Sequence, residues 1–149
     1  MRAVVQIVRD ASVEAGGRVS GRIDRGLLVY LGVARGDTFA DAEYLAEKTA
    51  ALRIFDDSEG RMNLSVRDIK GGVLAVSQFT LLADARKGRR PSYSDAADPS
   101  EAKPLYEYFM ERVRVLGLSC EGGIFRARML VKYTNDGPVT ILLDSKKQF

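Results

Sequence analysis

Not one histidine occurs among the 149 residues, and cysteine appears once, as Cys120. The first absence removes Ser-His-Asp triads, histidine-ligated metals and the commonest general base. The second rules out an internal disulfide and any CxxC redox or zinc motif. Without an imidazole to activate it, Cys120 is expected to be structural. No GxxxxGK[ST] phosphate loop is present and no GxGxxG follows a strand pattern, which argues against nucleotide hydrolysis and dinucleotide chemistry. The acidic run Asp56-Asp57-Ser58-Glu59-Gly60 lacks the alternating oxygen ligands and closing glutamate of a calcium loop, and reads as a solvated turn. No cofactor and no metal is therefore expected. An enzyme built from this chain must rely on backbone dipoles, carboxylates, lysines or its substrate.

Long apolar runs are also lacking. No stretch approaches the roughly 20 residues that span a bilayer, and Met1-Arg2-Ala3-Val4-Val5-Gln6 leads directly into a strand pattern without the apolar region and cleavage site of a signal peptide. The expectation is a cytoplasmic protein without membrane contact. The length suits one domain with its own core, placed at residues 1–145, with 146–149 as a polar tail free to fray. A net charge of +3 is mild, but its distribution is uneven. Arg86, Lys87, Arg89 and Arg90 crowd one glycine-containing loop ahead of Pro91-Ser92-Tyr93. Such a patch can contact phosphates and stack on bases, or be no more than a solvated loop.

What is present is mostly strand pattern. Residues 2–8 and 11–24 read as strands around the hairpin signal Gly16-Gly17, and residues 27–33 as a buried strand. Asp37 or Thr38 can cap a helix that places Phe39, Ala42, Leu45, Ala46, Thr49 and Leu52 on one face. Residues 53–55 look extended, residues 64–66 suggest a short strand, and residues 73–78 a longer one. From 82 to 98 the periodicity disappears, leaving one long loop of the kind that often carries function. Asp98-Pro99-Ser100-Glu101 supplies a cap, a proline at the first helical position and an acid at the third; the helix it opens runs to Leu116 and Gly117 can stop it. Residues 125–133 alternate cleanly as a half-buried strand, and residues 139–143 return as another. The formula is a mostly β protein with two helices.

Two short segments carry chemistry. Ser77-Gln78-Phe79-Thr80-Leu81 closes an apolar strand with two hydroxyls, an amide and a ring, at a point where free backbone N–H groups could hold an oxyanion. The plainer alternative is that Ser77 and Thr80 satisfy local backbone groups. Asn135-Asp136-Gly137-Pro138-Val139-Thr140 sets a Gly-Pro step between two apolar runs. Glycine permits close approach and positive φ, while proline removes an N–H and makes a cis peptide accessible. Such a step can present fixed carbonyls to a small polar group.

Together these segments resemble the SQFTL and GPxT motifs of the D-aminoacyl-tRNA deacylases. Further matching stretches fall in family order: Ala11-Ser12-Val13, Gly26-Leu27-Leu28-Val29, Arg53-Ile54-Phe55, Gly60-Arg61-Met62-Asn63-Leu64 and Arg90-Pro91-Ser92-Tyr93. The likeness runs from Met1 to about Leu143. It implies an α/β single domain of mixed and antiparallel sheets with the two main helices packed on one side, in β/β/α layers. It implies hydrolysis of D-aminoacyl-tRNA, and of mischarged glycyl-tRNA, by a homodimer with composite sites that bind the aminoacyl-tRNA acceptor end. Ser77, Gln78, Phe79 and Thr80 would form the catalytic floor. Gly137, Pro138, Val139 and Thr140, with the Gly-Pro bond in cis, would reach into the partner's pocket as the gate excluding L-amino acids. Arg86, Lys87, Arg89 and Arg90 are the weaker candidates for guiding tRNA. One departure stands out: family members place an arginine after the opening glutamine to brace the Gly-Pro loop, and this chain has Ile7, with Arg2 or Arg9 as possible substitutes. Two other readings remain open, an editing deacylase of relaxed chirality acting on L-aminoacyl-tRNA and a noncatalytic RNA-binding module.

Overall fold

A 14-residue strand, β1 (Arg2–Ala15), opens the chain and serves as the spine of the sheet. Ala3, Val5 and Ile7 face one core, the adjacent Val8 faces the other, and a register shift across exposed Arg9 and Asp10 keeps Ala11 and Val13 on the side of Val8. Side chains alternate across a strand, so it is this irregularity, added to the alternation, that turns the second half towards a different core. The chain reverses at Gly16-Gly17, both at positive φ, into β2 (Arg18–Ile23), which pairs with the second half of β1. β3 (Gly26–Gly32) pairs antiparallel with the first half. The computed structural model describes residues 1–149.

Helix α1 (Phe39–Ala51) starts at Thr38, whose backbone N–H donates to the Asp41 carboxylate at 2.8 Å. Asp37, the other candidate cap, is used elsewhere: it accepts the Ala34 N–H at 2.6 Å and pairs with the N-terminal ammonium at 2.7 Å. A small hairpin of β4 (Phe55–Asp56) and β5 (Met62–Leu64) follows. β6 (Gly72–Ser77) then lies parallel to β3. Helix α2 (Pro99–Val115) has Asp98 as its N-cap, and Gly117 at φ +88 follows its end. β7 (Cys120–Gly122) adds parallel to β6. Finally β8 (Met129–Asp144) runs antiparallel along the free side of β1.

Both helices cover one face of the sheet. Leu45 of α1 and Phe109 and Val113 of α2 bury against Leu27, Val29, Leu31, Val73 and Ala75, and Arg112 bridges to Glu43 at 2.9 Å. The alternate residues Leu28, Leu74 and Val76 face the other way and join Val8, Val13 and Ile23 under Tyr30, Met129 and Val131. The sheet curls over this second cluster until β2 nears β7. A Cβ on Gly21 would stand 2.7 Å from the Gly122 carbonyl oxygen, so glycine there is what lets the strands close. The outcome is a nearly closed, mixed sheet with two helices on one side, the expected fold class.

Several expectations shift. Residues 124–127 form a turn, with the Ala127 N–H donating to the Ile124 carbonyl at 3.1 Å, and the strand expected from residue 125 begins only at Met129. The two strands expected on either side of Gly137-Pro138 are one, Met129–Asp144, with the Gly-Pro step as an excursion within it. The short strand expected at 64–66 lies at Met62–Leu64, because Asp68 draws the Ser65 N–H (2.8 Å) and hydroxyl (2.7 Å) into a turn. The tail, expected to be free, is tied back to the body. Lys146 reaches Asp41 at 2.7 Å, the Ser145 N–H donates to the Met1 carbonyl, and Arg2 bonds Gln148 at 3.1 Å.

Candidate active site

Parallel strands β3 and β6 end side by side, at Leu31 and Ser77, and a cavity of about 560 Å³ opens beyond them. Open sheets with parallel strands offer such crevices at their carboxyl ends. Val33, Val76, Tyr106, Phe125, Met129 and Val131 make the lining largely apolar. Tyr106 donates from its hydroxyl to the Ala75 carbonyl at 2.8 Å. Burial pushes its phenol up to about 12, so it remains a donor and cannot serve as a base.

The Ser77–Thr80 segment forms the lip. The Gln78 N–H still belongs to the sheet, donating to the Leu31 carbonyl at 2.8 Å, and the chain then enters a 3-10 turn, Phe79–Leu82. The Leu81 N–H closes back on the Gln78 carbonyl at 3.2 Å. The N–H groups of Phe79 and Thr80 precede that bond and have no acceptor within the turn. Ser77, Gln78 and Phe79 line the cavity. Phe79 is 58% exposed and meets Tyr93 edge-on at 5.1 Å. Thr80 stands just behind, its hydroxyl oxygen accepting from the Gln78 side-chain amide. Arg2 supports the turn by donating to the Leu81 carbonyl at 3.2 Å while its Nε pairs with Asp144 at 3.2 Å.

Gly137 and Pro138 lie elsewhere. Gln6 pairs with Thr140 and Val8 with Asn135, so two steps along β1 face five along β8, and the Gly-Pro step is extruded opposite Ile7. The Gly137-Pro138 peptide bond is cis, and Gly137 has φ +120. Asn135 holds the excursion at its base, donating through one amide nitrogen to the Ile7 and Val139 carbonyls, both at 3.1 Å. Gln6 donates to the Thr140 hydroxyl at 3.0 Å, and Arg9 pairs with Asp136 at 3.1 Å. The isoleucine thus contributes its backbone carbonyl, and its side chain is buried in the core under the helices. By register, Ser77 aligns through Leu31 with Ala3, four residues along β1 from Ile7, and three strand spacings separate β6 from β8. At ~3.3 Å per residue and ~4.8 Å per strand, the two motifs are about 20 Å apart in one chain. They do not meet.

The basic loop is more ordered than its sequence suggests. Asp84 and Ser92 exchange backbone hydrogen bonds of 2.8 and 2.9 Å, closing a small loop with Gly88 at φ +72 near its tip. Arg86 is bound to Asp84 through two side-chain bonds, 2.8 and 2.7 Å, and this guanidinium holds the Asp84 carboxyl well below the usual carboxylate range. Lys87, Arg89 and Arg90 carry no ion pair and face solvent with Pro91 and Tyr93 beside them. Cys120 is buried and its thiol is pushed up to about 12 by that burial, consistent with a structural role. Sequence reasoning missed Tyr106, Arg35 and Arg126 as lining residues. Helical periodicity assigns Tyr106 only to a core face, and the two arginines come from separate loops.

Comparison with known proteins adds a consistent result. The family model described as D-Tyr-tRNA(Tyr) deacylase matches residues 4–144. D-aminoacyl-tRNA deacylases of Koribacter versatilis and Thermosipho melanesiensis are 62% and 59% identical to this chain, each alignment covering 100% of both proteins. The solved structure of the c-Myc DNA unwinding element binding protein superposes with a TM-score of 0.90 at 40% identity, over 97% of this chain and 98% of that one. The structure of a probable eukaryotic D-amino acid tRNA deacylase shares the fold, with a TM-score of 0.80 at 18% identity over 95% and 97% of the two chains.

Proposed function

The chain belongs to the D-Tyr-tRNA(Tyr) deacylase family and is a hydrolase of aminoacyl-tRNA esters; on that footing we propose that it cleaves the ester joining a D-amino acid, or glycine, to the terminal adenosine of tRNA. Free tRNA and the amino acid are the products, and the cytoplasm is the compartment where such a substrate is met. One observation carries the reading: a strand end turns into a 3-10 turn with two early N–H groups at the lip of an apolar cavity.

The N–H groups of Phe79 and Thr80 polarise the ester carbonyl and hold the oxyanion that forms when water attacks. The substrate's 2′-hydroxyl assists the water, and the proton leaves with the 3′-oxygen of the adenosine. Ser77 and Gln78 fix the turn. Thr80 does not form a covalent intermediate, because its only side-chain partner is an amide that donates to it and cannot take its proton.

Chirality is checked by exclusion. Gly137 and Pro138 of a second copy enter the cavity, offer carbonyl groups to the substrate's α-ammonium and leave no room for an L side chain. Glycine, having no side chain, passes. Val139 and Thr140 anchor the step to its own strand. The separation of the two motifs by about 20 Å in one chain supports a homodimer with composite sites. So does the edge strand β8, which pairs on one side only and exposes Leu130, Tyr133 and Leu142. Lys87, Arg89 and Arg90, with Arg86 more weakly, guide the acceptor stem by phosphate contacts.

The test is deacylation of matched D-Tyr-tRNA, L-Tyr-tRNA and Gly-tRNA by the purified protein. Hydrolysis of the first and third but not the second is expected. Equal D and L rates would overturn the chiral gate, and RNA binding without any hydrolysis would overturn the enzyme. The variant Thr80→Ala should keep near-wild-type turnover; a loss of more than about a thousandfold would restore the covalent route.

A further inference from the structure

The turn from Ile124 to Ala127 breaks a local rule at the cavity. The Ala127 N–H donates to the Ile124 carbonyl, and the third residue, Arg126, has φ +66. A four-residue turn with positive φ at its third position calls for glycine or asparagine. An arginine there costs backbone strain. Nothing local recovers that cost: Arg126 is exposed, has no carboxylate within ion-pair distance and makes no side-chain hydrogen bond in the molecule. It nevertheless lines the cavity, as do its neighbours Phe125 and Ala127.

A second guanidinium, Arg35, lines the same cavity from the segment after β3. Its Nε donates to the Ala96 carbonyl at 3.3 Å, which fixes the side chain and leaves its other donors free. The one acid in the lining is Asp98, the N-cap of α2, where the positive end of the helix dipole offsets its charge. Two unpaired guanidiniums against one carboxylate leave the lining with a net positive charge, beside walls that are otherwise apolar. The occupant that fits is an apolar or aromatic body with an anionic group attached.

We propose that Arg126, with Arg35, binds the phosphodiester on the 5′ side of the terminal adenosine, and so selects an aminoacyl end that belongs to a polynucleotide over a free aminoacyl-nucleoside. This assignment rests on the deacylase reading and adds a specificity residue to the same site. Arg126 is not a catalytic residue: a guanidinium engages a phosphate by two parallel hydrogen bonds and touches no reacting atom.

The probes are two non-hydrolysable ligands, adenosine carrying a D-amino acid through a 3′-amide, and the same compound extended by a 5′-linked cytidylate. The wild type should bind the dinucleotide about tenfold more tightly than the nucleoside, an increment that added salt diminishes. Arg126→Gly, which suits the turn and should leave the melting temperature unchanged or raised, should abolish the increment without altering nucleoside binding. With D-Tyr-tRNA the same variant should raise KM about tenfold at unchanged kcat. Equal binding of the two ligands by the wild type, or an increment that survives in Arg126→Gly, would overturn the proposal even if the wild type hydrolyses D-Tyr-tRNA. An increment lost in the variant, with no hydrolysis by the wild type, would sustain the phosphate site and overturn the deacylase reading instead.

Discussion

Phe79 contributes two separable things, a ring against Tyr93 and a backbone N–H at the start of a turn. Proline tolerates the first position of a helical turn, and Gln78 before it is already extended, at φ −144 and ψ 82. Phe79→Pro should therefore keep the fold, remove the donor and lower kcat by about 10²–10³, whereas Phe79→Ala should retain most of kcat. Equal losses in single-turnover assays would shift the catalytic role from the backbone to the ring. Asn135 offers a second test, since its amide bridges the carbonyls of Ile7 and Val139 at the base of the Gly-Pro excursion. Asn135→Ala should cost about 1–3 kcal/mol in urea unfolding, because two partly buried carbonyls lose their donor, and should narrow the gap between D-Tyr-tRNA and L-Tyr-tRNA rates. Arg9→Ala should do neither to a measurable extent, since its ion pair with Asp136 is exposed. The sequence identified the excursion and raised the question of its support. It could not name Asn135 as the answer, because the bonds it makes depend on how β8 is laid against β1.

At the scale of elements, α1 and the tail depend on each other through Asp41. Burial alone would raise that carboxyl, but hydrogen bonds from Lys146, Ser145 and Thr38 hold it below the usual carboxylate range. A carboxyl depressed in the folded state contributes stability that is complete above its unfolded pKa, near ~4, and is lost as the pH falls towards the folded value. Asp41→Asn should thus lower the melting temperature at pH 7, and the difference from wild type should shrink below about pH 4. A constant difference across that range would assign the effect to packing. The start of α1 at Asp37 or Thr38 and the Asp98-Pro99 start of α2 were legible in the sequence, because capping is decided within four residues; only the structure chose Thr38, by engaging Asp37 with the N-terminus. The anchored tail was not, since its partners lie over a hundred residues away. The expected strand over 125–133 failed at its beginning for a related reason. Alternation there continues into residues that the Ile124–Ala127 hydrogen bond holds in a turn.

For the whole molecule, the distance between Ser77–Thr80 and Gly137-Pro138 decides how activity should respond to mixing. If each site draws its floor from one copy and its gate from another, the hybrid of Phe79→Pro and Asn135→Ala subunits contains one fully wild-type site. Co-expressed subunits carrying different tags, purified through both, should regain about half the wild-type turnover with D-Tyr-tRNA together with the L-Tyr-tRNA rejection that Asn135→Ala homodimers lack, and the hybrid should elute as a dimer. Sites contained within single chains would instead leave every active site in the hybrid with a loosened gate. The sequence by itself determined that this chain has no histidine or disulfide to draw on, near which residues the helices start, and which family its two short motifs resemble, because each of those depends on residue identity and local spacing. Only the tertiary structure decided that the two segments stand apart in one chain, that the Asn135 amide holds the backbone carbonyl of Ile7 at the base of the Gly-Pro excursion, and that Arg35 and Arg126 face a common cavity. Those relations follow from strand register and sheet curvature, which join positions that no local pattern relates.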